Sequence, residues 1–432
     1  MLIALLIVLV PAGVMLLPGA AHATNTITVN SATDSTKTSG NGFCTLREAI
    51  NNANSPGVDT TGSDCTVGSG NDYINFNFSF PGTITLVAEL PSIQNTLTID
   101  GGTYGNVTID GTGAYQILLA YSTSTLTLEN LTLQNGSNTT GVGGAVSNGG
   151  TLTIYDCGFI SNSAVFGGAI SNQFNGTVTI GGSYFASNSA SIDGGAILSD
   201  GPLSVVDSYF LDNSATVDGG DIDCSNLTTI SECEFYGGIA DEDGGSLYFV
   251  TGFATMDISE IDYASALAGG GIYNQAATLT VTNSTINGAD ALAGGGIYNE
   301  DDSNAVLTMI NSAVYDNGAL GEGGGIDNAG AGQVTITFST IANNGASAGD
   351  DIYNAGGSMT VADSILALGS SANCAGTATP PTPPVTDGGY NISDDSSCDF
   401  TAATSVNSIS PGLASGLGSN GGPGMLTVAL VG

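Results

Sequence analysis

The sequence predicts an all-β chain, a right-handed parallel β-helix in which each coil of about 25 residues holds three short strands. Three observations carry that reading. The first is a phrase, Gly-Gly followed by a small residue and an aliphatic one, that returns nine times between Gly143 and Ile352. It reads Gly143-Gly144-Ala145-Val146, then Gly-Gly-Ala-Ile at 167 and 194 and Gly-Gly-Asp-Ile at 219. Gly-Gly-Ser-Leu at 244, Gly-Gly-Gly-Ile at 269, 294 and 323, and Gly-Asp-Asp-Ile at 349 follow. A fixed period of this length belongs to stacked units, none of which buries its apolar face alone. The second observation is alternation at period two inside each unit, as in Thr151-Leu152-Thr153-Ile154 and Thr278-Leu279-Thr280-Val281, which is strand spacing. The third is a recurring Phe-x-x-Asn at Phe159, Phe185 and Phe210, whose asparagine turns the chain before the next Gly-Gly. Strands this short, with no crossover helix between them, pair in parallel only with the same strand of the next unit.

The elements follow in order. Residues 1–23 read as a secretory signal, because an apolar run from Met1 to Leu17 ends in the small-x-small pattern Ala21-His22-Ala23. Residues 24–82 form an N-terminal cap that a bridge between Cys44 and Cys65 would close. Residues 83–370 are the helix proper, with looser coils from Thr83 to Gln134 and regular ones after them. Residues 371–432 form a C-terminal loop and anchor-like region, closed by Cys374 with Cys398. There Thr427–Val431 reads as an apolar strand that either completes its own last coil or adds to a neighbour's sheet, building filaments. Seven cysteines in an exported chain predict disulfides. A third pair, Cys224 with Cys233, would staple one coil and leave Cys157 as a buried small apolar residue. No stretch after the signal has the roughly 20 apolar residues of a membrane helix.

Stacking turns equivalent residues into ladders. Ile170, Ile197, Ile222, Leu247, Ile272, Ile297 and Ile326 should point into the lumen as its core. Asn148, Asn172, Asn274, Asn299, Asn328 and Asn354 recur five residues after the first glycine and predict a corner ladder of amide hydrogen bonds. Asp193, Asp218 and Asp243 each precede the Gly-Gly of three successive coils. In register they would lie about 4.8 Å apart, where like charges repel unless a cation relieves them, so they are candidate calcium ligands. Tyr248, Tyr273 and Tyr298 follow the inward aliphatic on adjacent coils and should face outward, as a stripe that stacks on sugar rings or on a neighbouring protein.

Beyond these patterns, the paired Gly-Gly-Ala-Ile and Phe-x-x-Asn phrases resemble the tetrapeptide repeats of chlamydial polymorphic outer-membrane proteins. Cys44-Thr45-Leu46-Arg47-Glu48-Ala49-Ile50 is similar to the Cys-Ser-Leu-Arg-Glu-Ala-Ile motif of bacterial and archaeal surface β-helix proteins, and Leu90-Pro91-Ser92-Ile93 with Thr96–Gly101 resembles their first coil. Gly388–Ile392, Ser397-Cys398 and Asn420-Gly421-Gly422-Pro423 resemble the choice-of-anchor region that ends such chains. The resemblance spans nearly the whole mature chain and implies a cell-surface location. It implies no particular activity.

Charge narrows the function. Asp and Glu number 39 against Lys37 and Arg47, a formal charge of −37. Such a surface repels nucleic acid, anionic membranes and polyuronates. Pectate-lyase-like chemistry needs a cationic base and cationic clamps, and after the signal the chain has no His and two cations, both in the cap. A neutral-sugar hydrolase needs only two carboxylates about 5–9 Å apart; Asp218, Asp221 and Asp223, or Asp241, Glu242 and Asp243, are the candidates. The sequence reading is therefore a secreted or cell-surface, non-enzymatic structural or adhesive protein. It binds a surface glycan or associates with itself, in filaments among other forms. The alternatives are a carbohydrate-active β-helix enzyme and a glycan-binding module using the tyrosine stripe.

Overall fold

The computed structural model describes residues 25–36, 40–79, 81–102, 107–300, 304–377, 384–418 and 427–430. The segment 1–23 and Lys37 lie outside them. The chain is an all-β parallel solenoid of about 12 turns. A large sheet of 23 strands, a second of 13 and a third broken into runs of 5 and 2 form its faces. Each regular coil enters the large sheet twice, as in Ile170–Asn172 and Thr177–Gly181, then crosses the second at Tyr184–Ala186 and the third at Ser189–Ala190.

Residues in the left-handed region make the bends, and they stack as well. Asp156, Gly182, Asp207 and Glu232 carry φ of 50°, 58°, 49° and 56° at one corner; Ser161, Ser187, Asp212 and Gly237 carry 54°, 54°, 50° and 67° at the next. The third corner is the first glycine of each Gly-Gly, at 61° to 67° from Gly167 to Gly349 with Gly294 at 60°. Here glycine is obligatory. A Cβ on Gly167 would stand 2.1 Å from the Ile170 carbonyl oxygen.

The lumen matches the expected ladders. Ile170, Ile197, Ile222, Leu247, Ile272, Ile297 and Ile326 are fully buried, and each pairs with its equivalent on the next coil. Phe159, Phe185, Phe210 and Phe235 stack with centroids 4.8, 4.8 and 4.7 Å apart. Asn148 donates to Asn172, Asn274 to Asn299, Asn299 to Asn328 and Asn328 to Asn354, at 2.7–2.9 Å. Between them Ser199, Cys224 and Phe249 take the same rung.

The cap holds a short helix, Leu46–Asn54, begun by a capping box in which Thr45 and Glu48 satisfy each other's backbone N–H. Its Leu46, Ala49 and Ile50 are buried at the end of the core. Arg47, 7 % exposed, is ion-paired with Asp34 and donates to the carbonyls of Ala88 and Glu89. The Cys44–Cys65 and Cys374–Cys398 bridges are both present.

Two expectations fail. Cys224 and Cys233 are separate buried thiols, as is Cys157, because Cys224 sits on the asparagine ladder of the large sheet while Cys233 enters the second sheet on a rung of serines. Thr427–Leu430 does not complete the last coil; it pairs antiparallel with Leu413–Gly418 as a separate two-stranded sheet.

Candidate functional site

The first strand of a regular coil is a run of three residues, continued into a longer strand at Leu247–Asp257 and Ile272–Thr282, and the middle residue of the run is the side chain it turns away from the lumen. In register these form a ladder of Leu198, Asp223, Tyr248, Tyr273, Tyr298, Asp327 and Tyr353. The left-handed glycine folds the preceding residue back beside this ladder: a Cβ on Gly244 would lie 3.0 Å from that of Tyr248. Asp193, Asp218 and Asp243 occupy that preceding position. The N–H of Asp218 donates to Asp193 Oδ1 at 3.4 Å, and that of Asp243 to Asp218 Oδ1 at 3.3 Å.

The structure brings Asp193 and Asp218 together with Asp223 rather than with Asp243: one carboxylate oxygen from each of the three lies within 4.8 Å of the others. Sequence reasoning counted Asp223 only among hydrolytic carboxylates. Its place directly after the inward Ile222, where the next coils carry tyrosine, was the signal that puts it on this face. Asp221 points instead into the lumen, fully buried, accepting from Asn213 at 2.9 Å and Ser246 at 2.5 Å. Asp241 and Glu242 are exposed.

Burial raises every carboxyl of the strip. Asp218 is pushed up to about 7 by burial and by Asp243 and Asp193, and Asp243 to about 6 by burial, Glu242 and Glu300. Asp193 is raised chiefly by burial. Asp223, 4 % exposed, is held well above the carboxylate range by burial and then by Asp193, Asp218 and Asp200. Among the described residues no cation offsets them, since Arg47 is locked to Asp34 in the cap.

The tyrosines correct the expectation of an exposed stripe. Tyr248, Tyr273 and Tyr298 do stack in register, with centroids 5.1 and 5.0 Å apart and planes 20° and 19° off parallel. Yet Tyr248 and Tyr273 are only 6 % exposed. Tyr273 is covered by a ring on either side, Tyr248 and Tyr298 by a ring on one side and an aspartate rung on the other, and the Gly-Gly turn folds against the base of each, which leaves little face for a sugar. The exposed apolar stripe lies elsewhere, at Leu267, Leu292 and Leu320, which are 53 %, 53 % and 79 % exposed beside a shallow cavity of about 540 Å³.

Fold and strip together define a parallel β-solenoid with an acidic outer ladder. No family model matches the chain, and no curated protein matches it. The motif at Cys44–Ile50 and the anchor-like region therefore rest on their own residues. Among solved structures the chain is similar to the periplasmic alginate epimerase AlgG, at 10% identity and a TM-score of 0.40 over 73% of this chain and 75% of that one. No helix among the described residues is long and apolar enough to cross a membrane.

Proposed function

We propose that the protein is a secreted or cell-surface structural solenoid, adhesive or filament-forming, that acts through its surface and not by turnover. One observation carries this reading: side chains on both faces of the wall are engaged with their own equivalents, coil after coil. The tyrosines that would have bound a glycan stack on one another, and the one described cation that could hold an anionic substrate is buried in the cap. Self-association has a candidate surface in Leu267, Leu292 and Leu320, whose coil-to-coil spacing is matched by an identical ladder on a second copy.

A second reading, carbohydrate hydrolysis, has one observation in its favour: Asp218, raised to about 7, stands beside Asp193 and Asp223. A single comparison separates the readings. The secreted full chain should localise to the cell surface and sediment as an assembly that Leu292→Asp reduces. It should release no reducing sugar from neutral polysaccharides. Turnover that Asp218→Asn abolishes would replace the structural reading with the enzymatic one.

A further inference from the structure

We propose that Asp193, Asp218 and Asp223 form a binding site for one calcium-class divalent cation that joins two adjacent coils. The proposal stands apart from the structural role and survives its failure.

Clustered acids alone would not carry it, because surface carboxylates ordinarily turn into water. Asp223 cannot. It is 4 % exposed, and no hydrogen-bond donor among the described residues serves its carboxylate, whose recorded neighbours are other carboxylates. Buried aspartates of the lumen find an amide donor. Asp221 receives the amide of Asn213, and Asp351 that of Asn344. Asp327, on Asp223's own outer ladder, also keeps an unpaired oxygen but stands, among the described residues, in no cluster of three carboxylates. Asp223, two residues beyond Asp221 on the opposite face, receives nothing and faces Asp193 and Asp218 instead.

The geometry suits a hard cation. Three oxygens no more than 4.8 Å apart leave room for one ion at most about 2.8 Å from each, so a small inward movement of the carboxylates reaches the roughly 2.3–2.6 Å that calcium takes. Calcium also tolerates an irregular shell of six to eight oxygens, which three carboxylates fixed on stacked rungs and water can complete; magnesium demands a smaller, strict octahedron. Two positive charges would offset most of three negative ones in a strip that has no cation of its own.

The tyrosine ladder supplies a spectroscopic readout. The chain has no tryptophan, and Tyr248 pairs in register with Asp223, so terbium bound here would be excited through tyrosine. The full chain should show tyrosine-sensitised terbium emission that calcium displaces, and calcium should raise its melting temperature. Asp193→Asn and Asp223→Asn should each weaken terbium binding about tenfold or more and remove the thermal shift. The exposed Asp241→Asn should change affinity less than about twofold. Because Asp193 is half-exposed, its variant decides the matter should Asp223→Asn fail to fold. If Asp193→Asn titrates like Asp241→Asn, the ions are diffuse counterions and the site does not exist. Terbium emission that calcium never displaces overturns it equally.

Discussion

The side-chain amide of Asn213 donates to Asp221 Oδ1 at 2.9 Å, and this bond accounts for the carboxyl in the fourth Gly-Gly phrase. In the preceding coils Asn162 donates to Asn188 and Asn188 to Asn213, at 3.0 and 2.9 Å. The next rung is Gly238, which has no amide. Asp221 reaches into that gap from the same coil as Asn213: a Cβ on Gly238 would stand 2.3 Å from Asp221 Oδ2. The arrangement recurs where the ladder stops again. Asn344 donates to Asp351 Oδ1 at 3.0 Å, and the rung after Asn344 is Gly369.

If Asp221 stands in for a missing asparagine, Asp221→Ala should destabilise the chain by about 1–3 kcal/mol, the cost of a buried amide left unpaired. Alanine itself fits, since Ala169 and Ala196 hold the same position in earlier coils. The double change Asp221→Ala with Gly238→Asn should recover part of the loss, because it restores the amide, although the Gly245 carbonyl oxygen, 2.7 Å from the new Cβ, must shift to admit it. Denaturant midpoints of the two singles and the double form the required cycle. Purely additive losses would show that Asp221 is no substitute.

Stability should fall as pH rises from about 5 to 8, opposite to the usual behaviour of carboxylates. Asp351 is fully buried with Oδ2 unpaired, and burial holds it well above its ordinary value; Asp327, also with an unpaired oxygen, is raised to about 7 by burial and then Glu322. Unfolded, both return to about 4. A group whose folded value is raised binds its proton more tightly when folded. Its contribution is therefore complete below about 4 and lost as pH climbs through about 7. Asp59, Asp110 and Asp387 are shifted down and act only at lower pH. With chelator present, the denaturant midpoint should drop between pH 5 and 8, less so in Asp327→Asn. A midpoint that climbs toward pH 8 contradicts the account.

Much of this architecture was legible because the Gly-Gly phrase sets the register. Once Ile170 and Ile197 are known to be equivalent, the lumen and the asparagine corner follow by counting. Burial on the outer face does not follow, since alternation says that Tyr248 turns away from the lumen but not that a glycine turn folds against it. Asp223 was misjudged for the same reason: its company depends on how the chain folds back at Gly219, not on spacing along a strand. The Cys224–Cys233 pairing failed because nearness in sequence was weighed above rung. Counted from Ser183, Ser208 and Ser259, Cys233 falls in a serine ladder at the corner that leads into another sheet.

The phenylalanine stack should be the costliest place to remove volume. Phe185 is fully buried between Phe159 and Phe210, with planes within 5° of parallel on both sides. Phe185→Ala should cost about 3–5 kcal/mol. Phe185→Leu should cost well under that, because Leu133 and Ile261 occupy equivalent rungs at the ends of the stack. Equal losses for the two variants, read from denaturant curves, would mean that the cavity is not what matters.

Thiol chemistry gives the sharpest test of the coil register. Cys157, Cys224 and Cys233 are free and buried, and burial pushes Cys157 and Cys233 up to about 12, so none should react with an alkylating reagent while the chain is folded. Unfolded without reductant, three of the seven cysteines should react; a Cys224–Cys233 bridge would leave one. Cys233→Ser should be tolerated. Ser183, Ser208, Ser259 and Ser284 each donate to the carbonyl two residues back, at 2.9, 2.9, 2.8 and 2.7 Å. Cys233 Sγ stands 3.2 Å from the equivalent carbonyl of Ser231. A hydroxyl there replaces a weak donor with a stronger one, so the melting temperature should hold or rise. A fall of several degrees would show that the thiol's bulk, not its place on the serine ladder, is what this rung requires.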